Sequence, residues 1–350
     1  MKALFVGLGS IGQRHLRNLK AIVGDNLEIS AYRVTRTAPV LNSVMQVVTD
    51  AKHKDHYDIK EFDNLDKALA NKPDIVFVTN PNSHHMEVAL KAANAGCHLL
   101  IEKPLATSLD EVEQLKAVVK EKNLVAMVAY QFRFHPGLQL VKKWLQTGHL
   151  GRLVSARMTH GEYMPGWHPY EDYRDTYAAR SELGGGTLVT QIHEFDVALW
   201  LFGLPKSVFA VGGHLSNLDI DVEDCVTSLL SCQWQQRPLP VTIELDYLRK
   251  PAVKELSIIG DEGSLLLNFS KNELSLNIRE GDIHEVKSFA SLERNQLFID
   301  EMQHFLNAIK NKEQPVVDLH LGAQSLQIAL GARQSLQSGQ VEFLTPIQAL

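Results

Sequence analysis

Cysteine is scarce: Cys97, Cys225 and Cys232 are the only three in 350 residues, an odd number with no CxxC spacing. That argues against a disulfide-stapled secreted scaffold and a thiolate zinc site, and the expectation is three reduced thiols in a cytoplasmic protein. Long apolar runs are missing as well. None approaches the ~18 residues needed to cross a bilayer. The N-terminal run Ala3 to Val6 is cut by Gly7, with Arg14, His15 and Arg17 close behind, so neither a cleaved signal nor a membrane partner is expected. A concentrated basic face is also lacking. Lys+Arg 35 against Asp+Glu 41 leaves a net charge of −6 without a run of five like charges, which argues against nucleic acid as a partner. His193-Glu194-Phe195-Asp196-Val197 lacks the second histidine of HExxH, and no GxSxG elbow occurs, so metal-dependent and serine hydrolysis are not expected.

What is present is a change of pattern near Met127. Up to that point short apolar runs (Ala3 to Val6, Leu27 to Tyr32, Ile75 to Thr79, His98 to Ile101, Val125 to Tyr130) alternate with helical spacing at Arg14 to Val23, Asn64 to Ala70, Ser83 to Ala95 and Leu109 to Glu121. Strict alternation predicts an α/β, doubly wound parallel sheet of Rossmann type covered on both faces. Ser108 and Glu111 have the spacing of a capping box, and Gly96 stands where a helix should end. Beyond residue 127 strand-like stretches follow one another from Leu153 to Arg279. One long helix is expected at Gly186 to Leu201, and two more at Asn295 to Ile309 and His320 to Gln337. This predicts an α+β domain with a mostly antiparallel sheet. The expected domains are 1–126, binding dinucleotide, and 127–350, for substrate binding and oligomerisation.

Gly7, Gly9 and Gly12 form GLGSIG between a strand and a helix. The first glycine suits the tight turn, the second a close approach of pyrophosphate, and the third close packing of helix on strand. The N–H groups at the helix start, Ser10 and Ile11 among them, would face the phosphates. At the end of the second strand, where an acidic residue would accept the ribose hydroxyls, stands Arg33, with Arg36 close behind. A guanidinium suits a 2′-phosphate, so NADP is expected ahead of NAD.

Three further segments, Pro81-Asn82-Ser83-His84-His85, Glu102-Lys103-Pro104, and Gly184-Gly185-Gly186 leading to His193 and Asp196, follow in order. Together with the glycine fingerprint they resemble the Gfo/Idh/MocA oxidoreductases, the glucose–fructose oxidoreductase and inositol dehydrogenase family, over nearly the whole chain. The resemblance implies a large open sheet in the second domain and hydride exchange between a nicotinamide and a sugar, polyol or related carbonyl compound. It assigns Thr79, Asn80, Pro81, His85, Glu102 and Lys103 to the cofactor side. Lys103 is the catalytic lysine that polarises the reacting oxygen, with Glu102 orienting it, and His193 is the proton carrier. Many members carry Asp one helical turn before that histidine; here Thr190 stands there and supplies no charge.

The stretch from Tyr163 to Arg180 mixes aromatic faces with polar forks, and Tyr163, Trp167 and Arg174 are candidate sugar ligands, with Tyr130 and Arg133 near the domain junction. An arm packing on another subunit is the competing reading of this stretch. The loop also resembles that of relatives from surface-polysaccharide and amino-sugar pathways. Two rivals to a dehydrogenase stay open: a glycosidase with retained NAD, and a non-catalytic regulator that binds dinucleotide and sugar. A homodimer or homotetramer is expected, because an open sheet face needs covering.

Overall fold

A computed structural model of the chain describes residues 1–34, 38–279 and 283–347. Two compact units emerge, one from 1–130 with 298–323, the other from 131–297 with 324–347. A division by sequence order alone does not anticipate the return of 298–323 to the first unit.

In the first unit β1 (Lys2–Val6), α1 (Ser10–Val23), β2 (Glu28–Tyr32), α2 (His53–Tyr57), β3 (Lys60–Phe62), α3 (Leu65–Ala70), β4 (Ile75–Val78), α4 (His85–Asn94), β5 (His98–Glu102), α5 (Val112–Glu121) and β6 (Ala126–Ala129) alternate. The sheet runs β3-β2-β1-β4-β5-β6, with all neighbours parallel. The chain builds outward from β1 on one side, then returns and builds outward from β4 on the other. The carboxyl ends of β1 and β4 are therefore the switch point, where an open α/β sheet leaves a crevice for ligand. Register fixes what stands there: Val6 pairs with Val78, and Val78 with Ile101. The glycine turn after β1, the Thr79-Asn80-Pro81 segment after β4 and Glu102-Lys103 at the end of β5 thus leave one sheet edge side by side. Beneath them Phe5 stacks on Phe77 at 4.4 Å, both fully buried, and Met302, Phe305 and Ala308 join the same core. Truncating such an aromatic to alanine costs about 3–5 kcal/mol.

Two local expectations change here and a third holds. β3 went unread because Lys-Glu-Phe is short and charged, as suits an edge strand. The Ser108–Glu111 box does not form: α5 starts at Val112 without a side-chain cap, and Ser108 Oγ instead accepts from the Asp110 N–H at 3.4 Å. Gly96 behaves as read, with φ +86° and its N–H closing α4 on the Ala93 carbonyl at 2.9 Å.

The second unit opens with α6 (Pro136–Gln146) and β7 (Leu153–Gly161). After them come α7 (Thr187–Thr190), α8 (His193–Phe202), β8 (Ser207–Gly213), β9 (Cys225–Trp234) and β10 (Arg237–Asp246). β11 (Val253–Gly260), β12 (Gly263–Asn268), β13 (Glu273–Ile278) and β14 (Ile283–Ser288) follow. Last are α9 (Arg294–Asn311) and α10 (Leu319–Ser338), each shared between the two units, and β15 (Glu342–Phe343). The nine-stranded sheet runs β14-β13-β12-β11-β7-β10-β9-β8-β15, antiparallel except where β10 lies parallel to β7. Its strands alternate as a half-covered sheet should. One face buries Leu230, Val241, Ala156, Ile258, Leu265 and Leu276, while the register lines up Leu229, Thr242, Arg157, Ser257, Leu266, Ser275 and Val286 across the other.

The single helix expected at Gly186 to Leu201 is two. Gln191 turns out of helical geometry at φ −96°, ψ 33°, and its amide donates to the Asp246 carbonyl at 3.0 Å, so the chain restarts at His193. Among the described residues, no helix is long and apolar enough to cross a membrane.

Candidate functional site

Backbone builds the candidate site of the first unit. Gly7 holds φ +96°, and a Cβ there would meet the Thr79 carbonyl at 2.7 Å; one on Gly12 would meet the Gly7 carbonyl at 2.4 Å. Only glycine fits either position. Around Gly9 a Cβ would find nothing within 4 Å, so this residue faces open space on the ligand side. α1 then begins at Ser10 with no side-chain cap and no acidic residue in its first turn, which leaves its N–H groups and positive end of the dipole toward an anion. Thr79 Oγ1 lies 2.7 Å from the Gly7 carbonyl and 3.1 Å from that of Val6, fastening the β4 end to the turn. The side-chain oxygens of Asn80 and Ser83 are buried with no hydrogen-bond partner among the described residues. Orphaned polar atoms next to a glycine cradle are what a polar ligand would satisfy, and the residues fit a dinucleotide.

Of the other residues that the sequence assigns to a cofactor, Glu102 ends β5 with Oε1 2.7 Å from His15 Nε2 and Oε2 accepting the Lys103 N–H at 3.2 Å. Burial alone would raise the Glu102 carboxyl. The His15 hydrogen bond and the nearby charges of His15 and Lys103 outweigh it and hold the group below the usual carboxylate range. His85 is fully buried, with ring nitrogens 2.8 Å from the Pro104 and Asn80 carbonyls. Its ring is directed at backbone, and burial lowers its pKa. Arg33 follows β2 directly, as read, yet its guanidinium is buried and paired with Glu61 of β3 at 3.2 Å. Arg36 lies outside the described residues. Tyr130 is buried just beyond β6.

Side chains build the candidate site of the second unit. The Gly-rich turn works sterically: Gly184 and Gly186 hold φ +80° and +104°, and a Cβ on Gly185 would sit 2.5 Å from the Tyr177 carbonyl. From that turn α7 carries Thr190, whose hydroxyl pairs with the buried Tyr247 phenol, a residue that sequence reasoning missed. His193 opens α8, its ring edge-on to Phe132 at 5.0 Å. Its neighbour Glu194 is buried against Lys254 and against His160 Nδ1 at 3.1 Å; burial would raise the Glu194 carboxyl, but the Lys254 and His160 charges push it far down. Lys254 also lies over the Phe132 ring at 4.3 Å. Glu194 stood beside a noted histidine, but β7 and β11, which bring His160 and Lys254 together, carry no motif.

Arg133, read as a substrate ligand, is buried in a bidentate pair with Asp196, both bonds 2.7 Å, and Asp196 also accepts from Ser325 at 3.0 Å. The same guanidinium lies 5.0 Å above Trp200. On the arm, Trp167 meets Tyr247 edge-on at 5.1 Å, and Met164, Ala178 and Ala179 form a small core with Leu218, Val222 and Tyr247. Tyr163 stacks under Lys250, and Arg174 chelates Asp172 with distances from 2.5 to 3.0 Å. The second unit thus gathers Thr190 and Trp167 around Tyr247, and Arg133 and His193 along α8, while Tyr163 and Arg174 stand apart on the arm.

Two family models match. Residues 1–130 match one described as an oxidoreductase family with an NAD-binding Rossmann fold, and residues 138–266 match the GFO/IDH/MocA C-terminal domain. The chain belongs to the Gfo/Idh/MocA oxidoreductases. Relatives of this family in the comparison include myo-inositol 2-dehydrogenase of Thermotoga maritima, 25% identical over 96% of both chains. Another is scyllo-inositol 2-dehydrogenase (NAD(+)) of Bacillus subtilis, 23% identical over 97% of this chain and 95% of that one. Among solved Gfo/Idh/MocA-like folds, the WlbA dehydrogenase from Bordetella pertussis in complex with NADH and UDP-GlcNAcA superposes with a TM-score of 0.78 at 23% identity, covering 99% of each chain.

Proposed function

We propose that this Gfo/Idh/MocA protein is a nicotinamide-dependent dehydrogenase or reductase acting on a hydroxyl or carbonyl carbon of a sugar, polyol or sugar derivative. The observation that carries the reading is one sheet edge from which the glycine cradle, the Thr79-Asn80-Pro81 segment and Glu102-Lys103 depart on neighbouring strands. When bound, the coenzyme supplies the hydride donor or acceptor. The N–H groups from Gly9 to Gly12 hold the pyrophosphate, and the Asn80 and Ser83 oxygens take donors from the same ligand. Lys103 donates a hydrogen bond to the reacting oxygen and stabilises negative charge as it develops. His193 takes the hydroxyl proton in oxidation and returns it in reduction. Thr190, anchored on Tyr247, lends a neutral hydroxyl where many relatives have a charge. Arg133 acts indirectly, by fixing α8 through Asp196. Tyr163, Trp167 and Arg174 present aromatic faces and a polar fork to the sugar. Inositol dehydrogenases among the relatives, and a nucleotide sugar in complex with a structural neighbour, support polyols and nucleotide-linked sugars as the substrates to try first. Named relatives that are dehydrogenases speak against a retained-NAD glycosidase.

Within this reading 1–126 serve the dinucleotide, and 127–350 serve substrate and self-association in the cytoplasm, a setting supported by three cysteines without disulfides. The exposed row through Leu229, Leu266 and Val286 supports a homodimer or homotetramer closing over the sheet's outer face. NADP is favoured over NAD by Arg33, the cationic residue directly after β2, and opposed by Glu61, which already engages it. The deciding experiment follows reduced-nicotinamide absorbance with NAD or NADP and a panel of inositols, sugars, uronates and nucleotide sugars. Turnover abolished in Lys103→Ala and in His193→Ala is expected. Tight coenzyme binding without turnover across the panel would overturn the reading in favour of a regulator.

A further inference from the structure

We propose that His15 and His85 are positioning residues for Lys103: two buried imidazoles, one on each helix that follows a coenzyme-facing loop, grip the Glu102-Lys103-Pro104 segment so that filling the cradle sets where the lysine stands. The inference rests on the roles proposed above for the cradle and for Lys103. His15 lies on α1, three residues beyond Gly12, and is wholly buried. Its Nε2 is 2.7 Å from Glu102 Oε1, and its Nδ1 has no partner among the described residues. An ionised carboxylate only accepts, so the proton of this bond sits on Nε2. Through its other oxygen Glu102 accepts the Lys103 N–H at 3.2 Å. A two-bond path therefore runs from the helix that takes the pyrophosphate, through the carboxylate, to the backbone of the lysine.

His85 holds the segment from the other side. Its Nδ1 is 2.8 Å from the Pro104 carbonyl and its Nε2 2.8 Å from the Asn80 carbonyl. Burial favours the neutral ring, which has one N–H and serves one carbonyl at a time. A ligand that donates to the Asn80 carbonyl leaves that proton to Pro104 and tightens the grip on the segment. A histidine that merely filled space would need neither arrangement. The charged and titratable groups engaged here are Glu102 from β5, His15 from α1 and His85 from α4, together with Lys103 itself.

The test needs no substrate. Reductive methylation with 13C-formaldehyde labels lysines, Lys103→Arg assigns the Lys103 resonance, and spectra are taken with and without NAD+. We expect NAD+ to shift that resonance in the wild-type protein and in His15→Gln, which keeps a donor near the Nε2 position. The shift should vanish in His15→Leu and in the near-isosteric Glu102→Gln, and in His15→Leu the NADH Kd from fluorescence should stay within about threefold, ~0.7 kcal/mol. A shift that persists in Glu102→Gln and His15→Leu overturns the proposal, as does its loss in His15→Leu in step with a collapse of NADH affinity, which would make His15 structural only. Failure of the underlying reading looks different: Lys103→Ala would retain turnover on the sugar panel whatever the resonance does.

Discussion

The residues assigned to the chemistry are anchored by different physics in the two units. Around Lys103 the anchors are mostly backbone: glycine φ angles, strand register, the Lys103 N–H on Glu102, and two carbonyls on His85. Around His193 they are side-chain charges: Glu194 with Lys254 and His160, and Arg133 with Asp196, on the face of an antiparallel sheet. A backbone-built site fails by steric clash when a Cβ is added. One built on buried ion pairs fails by leaving a charge unpaired in a poor solvent for it. The two kinds of substitution should therefore give different signatures, in coenzyme affinity for the first unit and in stability for the second.

The largest expected effect lies in the second unit. Arg133→Met or Asp196→Ala, each removing one side of the bidentate pair, should destabilise by about 3–5 kcal/mol in denaturant unfolding. The double replacement Arg133→Met with Asp196→Leu should recover most of that loss, because two apolar groups need no compensation. A single-variant cost below about 1 kcal/mol would place the pair with surface ion pairs and break the comparison.

Next in size is a contrast within the glycine fingerprint. Gly12→Ala drives a Cβ against the Gly7 carbonyl at 2.4 Å, so the turn must move, costing about 1–3 kcal/mol along with coenzyme binding. Gly9→Ala meets no protein atom within 4 Å, so its unfolding midpoint should match the wild type while the NADH Kd rises about tenfold, ~1.4 kcal/mol. Equal NADH affinity in Gly9→Ala and the wild type would remove the pyrophosphate from that position.

A smaller effect tests acid sensitivity in each unit separately. Burial, aided by Arg33, pushes the His53 imidazole down to about 4, and burial does the same to His135. Both folded pKa values lie below the ordinary ~6.5, so the unfolded chain binds protons that the native ring refuses. Their stabilisation is complete above pH ~6.5 and is lost as the pH falls toward about 4. His135 has a visible reason: its Nδ1 accepts from the Gly137 and Leu138 N–H groups at 3.1 and 3.4 Å, capping α6, and a protonated ring cannot accept. His53→Gln and His135→Asn should each flatten the fall in unfolding free energy across that window. An unchanged slope in both variants would assign the acid sensitivity to other groups.

The same contrast explains what could be read beforehand. The parallel alternation, the glycine cradle and the Glu102-Lys103-Pro104 segment were legible because each is local: a glycine, a proline or a strand end announces its own conformation. Arg33 and Arg133 were read as free to meet a ligand because their acids lie elsewhere in the chain, Glu61 at 28 residues' separation and Asp196 at 63. Lys254, 60 residues from Glu194, is placed only by the pairing of β11 with β7, where it stands opposite His160. Gln191 broke an expected helix for a like reason, since its partner is the Asp246 carbonyl, 55 residues away. Side chains whose role depends on sheet register carry no short-range signal.

Arg174 is where the smallest effect on stability is expected, and it bears most directly on the arm. Its side chain is 52% exposed and held by Asp172, whose carboxyl the Arg174 hydrogen bonds bring down to about 2. The pair is therefore ionised near neutral pH, and with Asp219 3.7 Å from the same guanidinium the group carries no excess positive charge, which suits a hydroxyl-rich ligand better than an anion. Because both partners are solvated, Arg174→Ala should leave the unfolding midpoint where it is. If the arm binds sugar, KM for the turned-over substrate rises while kcat holds, the mark of binding shared equally by ground and transition states. Trp167→Ala, which also removes an edge-on contact with the buried Tyr247 beside Thr190, should lower kcat as well, because that contact adjoins the segment leading to His193. If Arg174→Ala and Trp167→Ala both match the wild-type KM and kcat, the arm is not part of the substrate site, and packing against another copy of the chain becomes its better explanation.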